Sequence, residues 1–288
     1  MFHHILFPID FSERCKQVVP YVQAVARRHG AKVTLMSVVQ LPAMWYGGID
    51  SVPVLFDVDK MENDARRELA VFYAGPGGAA PDHETHVVVT RGVPGLEITQ
   101  YAAAADIDLI MMPTHGYGRF RRLLVGSVTA QVLHDAHCAV WTAAHAEEVP
   151  GLVQTGCKKI LCAVDDTAGS LPIIRQAAAL AGELAAEVTL VHAVPFFGDP
   201  EAASAFYDIN FFLDAAKKKI AGLQAAAGTK FVVCVAAGGV SSVVRDAAVG
   251  QKAELIVIGR GRSQERFGGL KTNAYAIIRD SPCPVLSF

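Results

Sequence analysis

Short β-rich apolar runs alternate along this chain with longer stretches of helical period. Over the first half the alternation predicts a strand at 4–9, a helix at 13–29, a strand at 32–39 and, after a loop, a helix at 60–73. A strand at 85–90, a helix at 95–105, a strand at 108–112, a helix at 126–135 and a strand at 138–143 follow. Runs such as Leu109-Ile110-Met111-Met112 and Leu255-Ile256-Val257-Ile258 are apolar at every position, which suits strands buried on both faces. Strands of that kind need helices above and below them, so the expected class is α/β with parallel sheets. Ser12 is expected to cap the first helix, and Pro20 inside that helix to kink it.

The pattern occurs twice. Ile5-Leu6-Phe7-Pro8-Ile9-Asp10 recurs as Ile160-Leu161-Cys162-Ala163-Val164-Asp165. At the same offset, Ala31-Lys32-Val33-Thr34-Leu35-Met36-Ser37-Val38-Val39 matches Ala186-Glu187-Val188-Thr189-Leu190-Val191-His192-Ala193-Val194. Asp135-Ala136-His137-Cys138-Ala139-Val140 matches Asp280-Ser281-Pro282-Cys283-Pro284-Val285 at an offset about ten residues shorter, so the second copy has lost residues from its middle loops. The stretch 147–156, with Pro150, Gly151, Gly156 and an acidic pair, reads as a linker. Two domains are expected, 1–146 and 158–288.

Composition narrows the function classes. A net charge of −2 argues against nucleic acid as a partner. No apolar run long enough for a membrane span occurs, and the first ten residues read as a strand rather than a leader, so a cytoplasmic location is expected. The six cysteines are scattered without a CxxC pair, as for reduced core thiols.

In a doubly wound sheet, ligands bind where the strand order reverses, at the carboxyl ends of the first and fourth strands. Asp10 ends the first strand. The fourth runs into Pro113-Thr114-His115-Gly116, and nine residues later Gly126-Ser127-Val128-Thr129 opens a helix. Gly116 would let backbone approach an anion closely. The helix start would offer free amides and a positive dipole end to a phosphate, with the Ser127 and Thr129 hydroxyls beside them. Asp10 would accept from an exocyclic amine.

Asp10-Phe11-Ser12 after the first strand, Thr114-His115-Gly116 after the fourth and Gly126-Ser127-Val128 at the last helix resemble the universal stress protein family, over both halves of the chain. The resemblance implies two five-stranded domains of the adenine-nucleotide α-hydrolase-like fold, each with an edge strand paired across a pseudo-two-fold within the chain. It implies a stress-response or regulatory role with ATP, and its accompanying Mg, bound in the first domain. Carried over by motif, Asp10, Val38 and Met112 would surround the base, and Gly116, Gly126, Ser127, Val128 and Thr129 the ribose and phosphates. Asp165, Gly259 and Gly261 would be the second-half counterparts. The family's ATP-binding members carry Gly-x-x-Gly-x9-Gly-Ser/Thr, and the first of those glycines is Pro113 here, which has no N–H to give.

In the second copy one residue is missing between the glycines, and the later Gly-Ser is Lys271-Thr272. Arg260, Arg262 and Lys271 would neutralise phosphates there, or would line a degenerate, structural copy with a solvated basic loop. His134, His137 and His145 cluster in sequence and read as surface or capping groups rather than a metal site. No general base or arginine finger for a γ-phosphate is recognisable, so hydrolysis would be slow at most. The competing readings are a nucleotide-free protein-interaction module with degenerate sites and an adenylating enzyme of a related fold. Protein partners are not readable, and a homodimer through other surfaces is compatible with the pattern.

Overall fold

A computed structural model describes residues 1–40, 57–74, 82–114, 125–143, 156–195, 209–261 and 272–288. The first half contains β1 (His4–Pro8), α1 (Glu13–His29), β2 (Lys32–Val39), α2 (Val58–Ala74), β3 (Thr85–Arg91), α3 (Pro94–Ala104), β4 (Leu109–Pro113), α4 (Ser127–Asp135) and β5 (Ala139–Ala143). The second contains β6 (Lys159–Ala163), α5 (Leu171–Leu184), β7 (Glu187–Val194), α6 (Ile209–Ala227), β8 (Val232–Ala237), α7 (Val240–Gln251), β9 (Leu255–Ile258), α8 (Thr272–Asp280) and β10 (Val285–Ser287). A 3-10 turn, Ala168–Ser170, leads into α5.

All ten strands form one sheet in the order β3-β2-β1-β4-β5-β10-β9-β6-β7-β8. Pairing is parallel within each half. At the centre β5 and β10 run antiparallel, with Val285 opposite Thr142 and Ser287 opposite Val140. Each terminal strand thus covers the edge the other would expose, which removes an aggregation-prone edge without a second chain. Thr142 Oγ1 donates to the Val285 carbonyl (3.3 Å) and Ser287 Oγ to the Val140 carbonyl (3.1 Å), one bond the pseudo-two-fold mate of the other.

Alternation along the strands builds two cores. Ile5, Phe7, Leu109 and Met111 face α1, α2, α5 and α6, while Leu6, Ile110 and Met112 face α3, α4, α7 and α8. Both cores run continuously through the two halves, so the seam is packed on both sides of the sheet. On the first face the amino terminus and His29 meet the Glu183 carboxylate at 2.9 and 3.3 Å.

Local signals explain the element ends. Ser12 accepts from the Cys15 amide (3.2 Å), and Gly30 closes α1 at φ 62° with its N–H on Ala26 O. Pro20 lies on the exposed face of α1, which continues through it as one helix rather than ending there. β4 includes Pro113, opposite Ala143, one residue beyond the strand expected from the apolar run. The linker residues 147–155 lie outside the described residues. No helix among the described residues is long and apolar enough to cross a membrane.

Candidate nucleotide and ligand sites

β1 sits between β2 and β4, so the chain leaves it on one side and returns on the other. The carboxyl ends of β1 and β4 are neighbours, with Ile5 opposite Leu109 and Leu6 opposite Ile110. This is the switch point of the first half, and Asp10 and Thr114 leave the sheet there. Asp10 is exposed, and its Oδ1 accepts from the Ser12 amide (3.0 Å) across Phe11, which takes a left-handed φ of 59°. The turn holds one carboxylate oxygen. Burial, with the Asp10 charge as a smaller influence, pushes the neighbouring Cys15 thiol far up, so it is an inert core group.

Across the crevice, Gly126 precedes α4 in an extended conformation and donates to the Thr114 carbonyl (2.8 Å). It supplies no side-chain cap, so the first amides of α4 have no acceptor within the helix. Ser127 is exposed and Val128 half-buried. Thr129 is buried and its hydroxyl donates to the Pro113 carbonyl (3.1 Å), which turns that donor away from a phosphate. Met112 is buried in the second core and Val38 is packed half-buried against it. Gly116 and His115 lie outside the described residues.

The second half has the same crossing, with β6 between β7 and β9, and here the structure contains a cleft of about 1430 Å³. Its walls come from both halves: Asp165, His192 and Gly259 from the second, and the end of α4 from the first. Asp165 Oδ1 accepts from the Thr167 amide (3.1 Å), the Thr167 hydroxyl (2.6 Å) and the Ser170 hydroxyl (2.8 Å), a web that shapes the turn into α5. A Cβ on Gly259 would lie 2.9 Å from Ile173 Cγ1, so the α5 side chain accounts for that glycine. Gly261 takes φ 58°, which a glycine adopts freely.

Arg260 is 8% exposed and points to the first half rather than into an anion site. Its guanidinium donates to the carbonyls of Leu133 (3.3 Å), Ala136 (3.0 Å) and Cys138, capping the C-terminal end of α4 where a cation is favoured. Tyr275 on α8 donates to the Val125 carbonyl (3.3 Å) at the other end of the same helix. The role sketched for Arg260 as a phosphate partner gives way to an interdomain clamp. Arg262 and Lys271 lie outside the described residues, as does His145. His134 pairs with Asp135 at the surface (2.5 Å), and the described residues contain no His, Cys, Asp and Glu group able to hold a metal.

Three cleft residues were missed from the sequence: His192, Asp166 and Lys219. A readable signal existed for His192, an ionisable group in a buried strand where the first copy has Ser37. The Lys219 ammonium, 2.6 Å from Asp166, holds that carboxyl below the usual carboxylate range.

Comparison with known proteins agrees with the architecture. The model of the universal stress protein family matches residues 1–143 and again 156–288. Universal stress protein A homolog 1 of Coxiella burnetii is 31% identical over 144 residues, 49% of this chain and 96% of that protein. A universal stress protein of Methanocaldococcus jannaschii is 27% identical over 141 residues, 49% of this chain and 81% of its own. The crystal structure of a universal stress protein from Archaeoglobus fulgidus superposes with a TM-score of 0.67 at 22% identity, covering 99% of this chain and 95% of that one, and so shares the fold. Repeat, sheet order and family match agree: the chain belongs to the universal stress protein family, as a tandem of two such units in one polypeptide.

Proposed function

We infer that the protein is a cytoplasmic stress-response or regulatory protein of two units, 1–146 and 158–288, that binds an adenine nucleotide, ATP, in its first half. What carries the reading is that Asp10 follows β1 and the uncapped start of α4 follows β4, the neighbouring strands of the switch point. The amides of Ser127 and Val128 would take phosphate oxygens, and an Asp10 carboxylate oxygen would accept the exocyclic amine of the base. Val38 and Met112 would flank the base, and Gly116 would complete the anion loop. Magnesium would arrive with the phosphates. Binding rather than turnover is the activity assigned, since no described group is set to activate water against a γ-phosphate.

The test is acid extraction of the purified chain followed by nucleotide analysis. Wild-type protein should release ATP, and Asp10→Ala and Gly126→Ala should come out empty. Full retention in both would remove the site. An empty wild type that also fails to bind ATP calorimetrically would favour the nucleotide-free interaction module, with Pro113 as the residue that closed the loop.

A further inference from the structure

α4 is nine residues long, too short to hold itself by helix propensity alone. Its start is tied down through one peptide unit, that between Val125 and Gly126. The N–H of the unit, on Gly126, donates to the Thr114 carbonyl (2.8 Å), within the first half. The carbonyl of the unit, on Val125, accepts from the Tyr275 hydroxyl of α8 (3.3 Å), in the second half. Both polar groups of this peptide are engaged, one by each half of the chain. Val125 is buried and Tyr275 half-buried, so water competes little for the bond.

The residue that follows gives this contact its weight. Gly126 has φ −60° and ψ 149°, and no side chain restrains it there. Glycine loses more freedom on ordering than any other residue, so its conformation must be held from outside. Its ψ sets where the amides of Ser127 and Val128 point, and these have no acceptor within the helix. Holding the preceding peptide plane therefore preorganises the donors that come next. The hold is also one-sided. Asp135 and Asp280 are aligned in the repeat, and five residues before them stand Ala130 and Tyr275. Alanine has no hydroxyl with which to return the bond. At the far end of α4, Arg260 of the second half holds the Leu133 and Ala136 carbonyls.

We propose that Tyr275 is a positioning residue for the ligand of the other half: its hydroxyl fixes the Val125–Gly126 peptide and so aims the first amides of α4 at a phosphate. The proposal rests on the reading that a nucleotide phosphate meets the start of α4. Nucleotide affinity then belongs to the whole tandem rather than to residues 1–146, and the second half acts on it without binding the ligand.

The experiment measures ATP and adenosine binding to the full chain by calorimetry, in wild type, Tyr275→Phe and Ser287→Ala. Tyr275→Phe removes only the hydroxyl. Ser287→Ala removes another second-half hydroxyl, one that bonds the Val140 carbonyl on β5. ATP should bind Tyr275→Phe about tenfold more weakly than wild type, the scale of one charge-assisted hydrogen bond. Adenosine has no phosphate to meet α4 and should bind both alike. Ser287→Ala should keep the wild-type affinity for ATP. Unchanged ATP affinity in Tyr275→Phe, an equal loss for adenosine, or an equal loss in Ser287→Ala would overturn the positioning role and leave the nucleotide reading standing. A wild-type chain without affinity for ATP would overturn both, and the wild-type titration alone reports it.

Discussion

The two halves share a sheet order and a packing scheme, yet their crevices have diverged. In the first, Asp10 is exposed and holds one backbone amide, and the helix opposite starts at a glycine without a side-chain cap. In the second, the matching Asp165 is tied into a web with Thr167 and Ser170, and the loop after the fourth strand sends Arg260 across the seam. Strands buried on both faces constrain every position, so the duplication stays legible there. Crevice loops are not needed for folding and drift once their ligand changes. The second half has nonetheless kept a hold on the first: Arg260 and Tyr275 grip opposite ends of α4.

Breaking that grip should have the largest effect. Arg260→Ala leaves three carbonyls, of Leu133, Ala136 and Cys138, without their charged donor and should cost about 3 kcal/mol. Lysine cannot reproduce the planar fork, so Arg260→Lys should recover less than half of the loss. Urea unfolding of both variants measures this. A cost below about 1 kcal/mol for Arg260→Ala would mean that the clamp is incidental to the fold.

Next comes the contrast between two glycines. Gly259→Ala places a methyl 2.9 Å from Ile173 Cγ1 and should destabilise by about 2 kcal/mol without changing nucleotide content. Because the clash is with one side chain, Ile173→Ala should restore part of that loss in the double variant. Gly126→Ala should do the reverse. Its φ of −60° and ψ of 149° suit alanine, so stability should change by less than about 1 kcal/mol while bound nucleotide is lost. Equal behaviour of the two variants would erase the distinction between a packing glycine and a ligand glycine.

These pairs also show what the sequence could and could not convey. Periodicity and repetition showed the strands, the helices and the duplication, and local sequence the Ser12 cap, because burial and capping leave local traces; the internal pairing of the last strands was implied only by the family resemblance. Thr129 looked like a phosphate donor because Gly-Ser-Val-Thr is read as a motif, and only the fold reveals the Pro113 carbonyl within its reach. Arg260 looked like an anion partner for the same reason. Its acceptors lie more than a hundred residues away, and they meet it only because β10 and β5 pair antiparallel. His192 went unread because a lone histidine in a strand is ambiguous until its partner, here the Val164 carbonyl, is seen.

Acid should act on the first half through His4. His4 is buried in β1, with Nδ1 donating to the Ala105 carbonyl (3.1 Å) and Nε2 accepting from Thr34 (2.8 Å). Burial first, then Lys32, holds its pKa below the ordinary histidine value, against the opposing pull of the Ala105 carbonyl and Asp108. The folded state therefore favours the neutral ring. Its contribution is complete above the unfolded value, about 6.5, and is lost as pH falls from there toward the lower folded value. The second half has Lys159 at this register. His4→Gln should flatten the fall in stability below about pH 6.5 without abolishing it, because burial also lowers His29. Superimposable pH–stability curves for wild type and variant would remove His4 from the account.

The smallest effects are expected at the seam, where the halves are most alike. Thr142 and Ser287 occupy equivalent positions in the repeat, and each donates its hydroxyl to the other half's strand, at Val285 and Val140. Both are fully buried, so each hydroxyl was desolvated in order to make its one bond. Thr142→Val and Ser287→Ala should each cost about 1 kcal/mol. The two values should agree within about 0.5 kcal/mol, because the pseudo-two-fold gives the two bonds the same surroundings. A clearly unequal pair would show that divergence has reached the seam itself, and that one half now depends on the pairing more than the other.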